Sequence, residues 1–254
     1  MQCRLAVILS ALLLTGAQSA LAEPSQTSFH EEAYREAVRR AAIKTPELTK
    51  SVRLATIDDD LPAVTVIRLA KNDPVEECHG DPSKECRLRR DTWVSLPAEL
   101  LVHCRGKPDA LLALQQVLGL PPYTEEHKSG WAIYHFTVRP KDMFRPCASG
   151  ARLTDLSCSN DVSNASAEVR SFVFEQMWTS YRTGFDRPGF PFTGMGWSYN
   201  WSPDSQDHVG ISEFVVRKQA SVLLRKTEMK FSTRMTPSEF CSVPDQMARA
   251  IALN

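Results

Sequence analysis

The stretch Phe190-Pro191-Phe192-Thr193-Gly194-Met195-Gly196-Trp197-Ser198-Tyr199-Asn200-Trp201, continued by Gly210-Ile211-Ser212-Glu213-Phe214-Val215-Val216, is the most unusual run of the chain: five large aromatics and two glycines fall within its first twelve residues. Glycine is favoured where a side chain would collide or where φ is positive, and inside a strand it marks a bulge or a close backbone approach. Two arrangements fit. One is a cleft wall whose backbone lies close to a ligand. The other is a twisted strand pair whose aromatics fill a core, with Gly194 and Gly196 marking a bulge.

Upstream of this run, Val169, Phe172, Val173, Met177 and Tyr181 recur at helical spacing and predict the longest helix over 166–183, stopped by Gly184. Trp131 to Val138 alternates as a strand with apolar residues on both faces, which predicts a central position. His135 on it reads as a structural histidine. Two helices precede it, one opened by Pro97 and one capped by Asp109. The β-branched run Val64-Thr65-Val66-Ile67-Arg68-Leu69 predicts an earlier strand. Arg68 inside that apolar run either faces outward on an edge or enters a pocket, where its planar donor fork suits an anion. Ala33, Tyr34, Ala37, Val38 and Ala41 predict an N-terminal helix over 30–44. Downstream, strand-like runs over 219–225 and 227–233 and a last helix over 244–253, capped by Ser242, complete the pattern. Helices among strands, with strands consecutive towards the end, predict an α+β fold with a mainly antiparallel sheet and flanking helices.

Residues 1–22 read as a secretory signal: Met1-Gln2-Cys3-Arg4, an apolar run from Leu5 to Leu14, and Ala20-Leu21-Ala22 at the cleavage site. That run is shorter than the roughly 20 residues of a membrane span. The expected division is therefore a signal peptide over 1–22, an N-terminal helical appendage over 23–60 and one α+β domain over 61–254, secreted or periplasmic after cleavage near Ala22. Without the leader, six cysteines remain, an even number that predicts about three disulfides in an exported chain. Proximity favours Cys78 with Cys86 and Cys147 with Cys158, leaving Cys104 with Cys241, but other pairings stay open. No cysteine or histidine spacing suits zinc, so no metal is expected.

Thirty basic and thirty acidic residues select no charged partner, and the short basic clusters at 39–40 and 87–90 give no nucleic-acid stripe. No nucleophile elbow, phosphate loop, Gly-x-Gly-x-x-Gly or His-Glu-x-x-His motif is present.

The Pro191-Phe192-Thr193-Gly194-Met195-Gly196-Trp197-Ser198-Tyr199-Asn200-Trp201 run with Gly210-Ile211-Ser212-Glu213-Phe214 resembles a signature of exported bacterial proteins without assigned function and of some toxin tails. Glu213-Phe214-Val215-Val216 is also similar to the glutamate-bearing strand of ADP-ribosyltransferases. That second resemblance implies NAD as a substrate, cleaved in a cleft along Gly194 to Glu213. Arg68 would grip the pyrophosphate, with Gly194, Gly196 and Trp197 beside the dinucleotide. Glu213 would stabilise the oxocarbenium-like centre, and Ser198 would orient Glu213. Families that modify arginine, asparagine or glutamine carry Gln or Glu where Ile211 stands, so NAD hydrolysis or another acceptor is implied. The effector so described would act on a host or target-cell protein. The alternative is a non-catalytic, disulfide-stabilised secreted or periplasmic binding protein in which the same aromatics form a ligand or partner surface, and the structural reading of Glu213 is an ion pair with a lysine or arginine across an exposed sheet edge.

Overall fold

Trp131–Val138 forms the strand around which the main sheet is built. In this computed structural model, which describes residues 26–43, 45, 48–58, 63–69, 72–74, 85–181, 189–223 and 234–244, the chain starts with helix α1 (Gln26–Ile43) and strand β1 (Ala63–Leu69). Next come β2 (Glu85–Arg87), β3 (Thr92–Val94), α2 (Pro97–Cys104), α3 (Ala110–Val117) and β4 (Trp131–Val138). The remainder is β5 (Met143–Phe144), α4 (Ala167–Tyr181), β6 (Trp197–Tyr199), β7 (Val209–Ser212), β8 (Phe214–Val216), β9 (Ser221–Leu223), β10 (Arg234–Met235) and α5 (Pro237–Cys241).

The main sheet has the order β1-β4-β9-β2, with β10 also on β4. A second sheet runs β3-β8-β5, and β6 pairs with β7. Every strand pair among the described residues is antiparallel, and the fold is α+β as the sequence pattern predicts. Alternation along β4 explains the layers. Ala132, Tyr134, Phe136 and Val138 meet Val64, Val66, Phe214 and Val216 between the two sheets. Ile133, on the opposite face, packs with Leu100, Leu111, Leu114 and Phe240 from α2, α3 and α5. His135 hydrogen-bonds through Nδ1 to Thr65 Oγ1 at 2.8 Å, and burial pushes its ring down to about 4, so it is neutral and structural.

Helix α3 starts where expected, whereas α1 starts at Gln26, four residues before its expected start, and with 18 residues is longer than α4, expected to be the longest, which has 15 over the described residues. Asp109 accepts from the Leu112 amide at 3.0 Å. An element the sequence reading lacked is α5, closed by a reciprocal cap between Thr236 and Glu239. The strand expected over 227–233 lies outside the described residues, as does the helix expected over 244–253 beyond Pro244. The proposed signal over 1–22 lies outside them too.

The aromatic run resolves as a strand pair. Trp197 faces Ser212 and Tyr199 faces Val209, with a register irregularity between them. Its aromatics are core: Met195, Trp197, Tyr199 and Trp201 pack against Tyr34, Ala37, Val38 and Ala41 of α1. A large aromatic buries about 150–250 Å², worth roughly 4–6 kcal/mol of transfer energy at about 25 cal/mol per Å². The helix of the expected N-terminal appendage is thereby built into the core, and the Tyr34 hydroxyl donates to the Gly189 carbonyl at 2.7 Å. Two glycines are required by space. A Cβ at Gly196, whose φ is +71°, would stand 2.9 Å from Arg145 Cδ, and one at Gly210 would stand 2.3 Å from Ser198 Oγ.

Cys147 bonds to Cys158, as proximity suggests, and Cys104 to Cys241, the pair left by the two local ones. Cys86 is also disulfide-bonded, while its expected partner Cys78 lies outside the described residues. Among the described residues no helix is long and apolar enough to cross a membrane.

Candidate functional site

A main-chain bridge links the two sheets beside the core they share. Thr65 and Ser95 exchange both main-chain hydrogen bonds, each 2.9 Å long, and among the described residues this bridge is the only pairing between β1 and the β3 segment. Both strands line a cavity of about 420 Å³. Residues 65–68 of β1 and 93–95 of the β3 segment wall it, with Leu118 to Pro121 after α3, Gln176 and Ser180 of α4, and Phe190 to Phe192 closing its sides.

Arg68 reaches this cavity because the Arg68 side chain lies on the same strand face as Val64 and Val66 but beyond the end of the packed core. Burial and the neighbouring Arg90 push its guanidinium down to about 10, so it remains a cation at neutral pH. No ion pair or hydrogen bond of its side chain is present among the described residues. Arg90, at the same end, also lines the cavity.

Glu213 lines the cavity from the β7–β8 junction. That junction is well fixed. The Glu213 amide donates to the Gly196 carbonyl at 2.9 Å. Its neighbour Ser212 donates through its hydroxyl to Glu99 Oε1 at 3.0 Å and accepts from the Ala55 amide at 2.7 Å. Glu213 turns part of its surface to the cavity, yet Oε2 is sealed and without a hydrogen-bond partner. Burial pushes the carboxyl up to about 8, so it is mostly neutral at pH 7. The exposed sheet-edge ion pair considered for it does not occur among the described residues.

Of the expected site residues, Arg68 and Glu213 therefore share one cavity, and the other four do not line it. Ser198 does not reach Glu213. Its hydroxyl donates to the Val117 carbonyl at 2.6 Å and accepts from the Ile211 amide at 3.0 Å, tying the hairpin to the end of α3. Trp197 is buried beneath α1, Gly196 makes room for Arg145, and the Gly194 carbonyl accepts from the Ala148 amide at 2.9 Å. Of these residues the motif supplies packing.

Sequence reading missed Arg90, Trp93 and Trp131, which all line the cavity. Trp131 Nε1 is buried there without a partner. Arg90 had only the signal of a short basic cluster, which ordinarily marks a solvated face.

The chain matches no protein-family model, no curated protein and no solved structure. Arg68, Arg90 and Glu213 line the cavity together with Asn72, Gln176 and Ser180, among aromatic and aliphatic side chains. Among the described residues, no group of three His, Cys, Asp or Glu side chains is placed to hold a metal ion.

Proposed function

We propose that this is an exported binding protein whose cavity takes up a compact ligand with an apolar body and an anionic group. The observation that carries this reading is the Arg68 guanidinium in a largely apolar cavity without a counter-charge among the described residues. A buried cation is costly unless it is paired, and a ligand anion would supply the pair with charge-assisted hydrogen bonds. Export is supported by the disulfide-bonded state of Cys86, Cys104, Cys147, Cys158 and Cys241, which suits an oxidising compartment.

Trp93 and Trp131 line the cavity, so intrinsic fluorescence should report occupancy. We expect 4-phenylbutyrate to shift the emission and its neutral amide to bind about tenfold more weakly or worse, the scale of one hydrogen bond to a charged group. Arg68→Met should remove the difference while leaving thermal stability equal or higher, because an unpaired charge is lost. Equal affinity of acid and amide for the wild-type chain, or binding of neither, would overturn the reading.

Catalytic use of the same cavity is the second reading, favoured by Arg68 and Glu213 lining it together. NAD would be the substrate, and water or a non-protein acceptor would receive the ADP-ribose. Glu213 must be ionised to stabilise an oxocarbenium centre, and the Glu213 carboxyl titrates near 8. Nicotinamide release by the full chain should then rise between pH 7 and pH 9. A chain that releases none at pH 9 would remove this reading.

A further inference from the structure

We infer that the anionic group of the ligand is a phosphate monoester dianion, held between the guanidinium groups of Arg68 and Arg90 with its apolar body in the cavity. This rests on the binding reading above and adds the chemical class of the ligand's head. It follows from the charge of the cavity wall. Among the described residues the lining contains two cations, Arg68 and Arg90, and one acidic residue, Glu213. Burial keeps the Glu213 carboxyl mostly protonated at pH 7. Asn72, Gln176 and Ser180 add polar groups without charge.

Neither arginine is balanced by the protein. Burial and the neighbouring Arg90 both depress the Arg68 guanidinium, and no carboxylate opposes them. The Arg90 side chain has no ion pair or hydrogen bond among the described residues. Asp91, next in the chain, does not line the cavity, and its carboxylate accepts from the Lys218 amide at 2.7 Å. A carboxylate ligand would bring one charge and two oxygens, and would leave one of the two cations unmatched. A phosphate monoester carries close to two negative charges at pH 7 on three acceptor oxygens. Planar guanidinium forks bind such oxygens in pairs.

The main chain that carries the two arginines is fixed. Arg68 faces Ala132 in a β1–β4 register that runs unbroken from Ala63 opposite Thr137 to Leu69 opposite Trp131. Arg90 stands in the bend between β2 and β3. There Leu88 donates to the Ala220 carbonyl at 3.1 Å and accepts from the Gln219 amide at 2.9 Å, and the Thr92 hydroxyl donates to the Arg90 carbonyl at 3.0 Å. Binding then has only side chains to order, which lowers its entropic cost. Arg68 is half-buried and Arg90 exposed, so Arg68 supplies the larger share of the attraction. The apolar body would meet Trp93, Phe192, Leu118 and Leu120.

The test is calorimetric titration of the full chain at pH 7 with 3-phenylpropyl phosphate, its methyl diester, 4-phenylbutyrate and inorganic phosphate. The first three share one apolar body, and only the monoester is a dianion. We expect the monoester to bind at least about fivefold tighter than the diester or 4-phenylbutyrate, between the worth of an exposed ion pair and that of a hydrogen bond to a charged group. Inorganic phosphate should bind at least about tenfold more weakly than the monoester, since it buries no apolar surface. Arg90→Met should bring the monoester down to the level of the diester, and Arg90→Lys, which keeps the charge, should restore part of the difference. If 4-phenylbutyrate binds and the monoester binds no tighter than it or the diester, the dianion inference is overturned and the anion-binding reading stands. A preference for the monoester that survives in Arg90→Met, or inorganic phosphate binding as tightly as the monoester, also overturns the inference. Binding of none of the four overturns both. The ligand series reads the wild-type chain directly, so the outcome does not depend on either variant folding.

Discussion

Glu213→Gln makes the protein more stable than wild type at pH 8, by on the order of 3–4 kcal/mol, and leaves the two about equal at pH 4. Burial raises the folded-state value of this carboxyl from 4.5 to about 8. The folded chain therefore holds the proton more tightly than the unfolded chain. The stability this contributes is complete below pH 4.5 and is lost as pH rises through about 8. Each pK unit is worth about 1.4 kcal/mol, and water reaching the cavity side of the residue reduces the total. Glutamine has the shape of the protonated acid and no titration, so the pH slope should be absent from the variant. Urea unfolding of both proteins at pH 4, 6 and 8 measures the difference between their slopes. Parallel curves would show that the Glu213 carboxyl is solvated in the folded state, and the neutral floor of the cavity would have to be abandoned.

Removing the Cys104–Cys241 bridge by alanine at both positions should cost about 5 kcal/mol, against about 3 kcal/mol for Cys147 with Cys158, on the loop-entropy scale. The bridges span sequence separations of 137 and 11. The first holds the end of α2 to α5, and both of its cysteines lie in the cluster that covers one face of the main sheet. Without it the unfolded chain regains the freedom of more than half its length. Urea midpoints of the two double variants decide the order. A smaller loss for Cys104 and Cys241 than for Cys147 and Cys158 would mean that the C-terminal elements hold to the sheet by packing alone.

Periodicity made much of the fold legible. β4 announced its central position by apolar residues on both faces, and the alanine stripe of α1 marked a packing face. Its partner was not readable, because Trp197, Tyr199 and Trp201 lie more than 150 residues away. Short elements escaped for a different reason. α5 has five residues, too few for a hydrophobic period, and only Thr236 and Glu239 three apart signalled it.

The cavity was half legible. Arg68 stood out as a charge within a β-branched run, but whether such a residue faces water or a pocket depends on where its sheet ends. Ser198, Gly194, Gly196 and Trp197 drew notice through composition that serves close packing equally well. The gap itself arises from a ladder that stops after one bridge between segments some thirty residues apart, and nothing local in either segment encodes that stop.

Arg145 shows how an irregular segment can be held as firmly as a strand. Its guanidinium is buried over the Phe214 ring at 4.6 Å and donates to the carbonyls of Ala55 at 2.6 Å and Leu153 at 3.2 Å. Leu54 and Ile57 donate to Leu156 and Leu153 in the same layer, and Ser212 receives the Ala55 amide. The segment around Ala55 is thus fixed by its own main chain and by side chains that belong to other parts of the protein. Gly196 leaves the space in which Arg145 lies, and Arg145 and Ser212 together hold the carbonyl and the amide of Ala55. Loss of either side chain would strand one main-chain group of Ala55, and a side chain at Gly196 would displace the arginine that holds the other, so a segment without regular structure depends on three distant positions for its place.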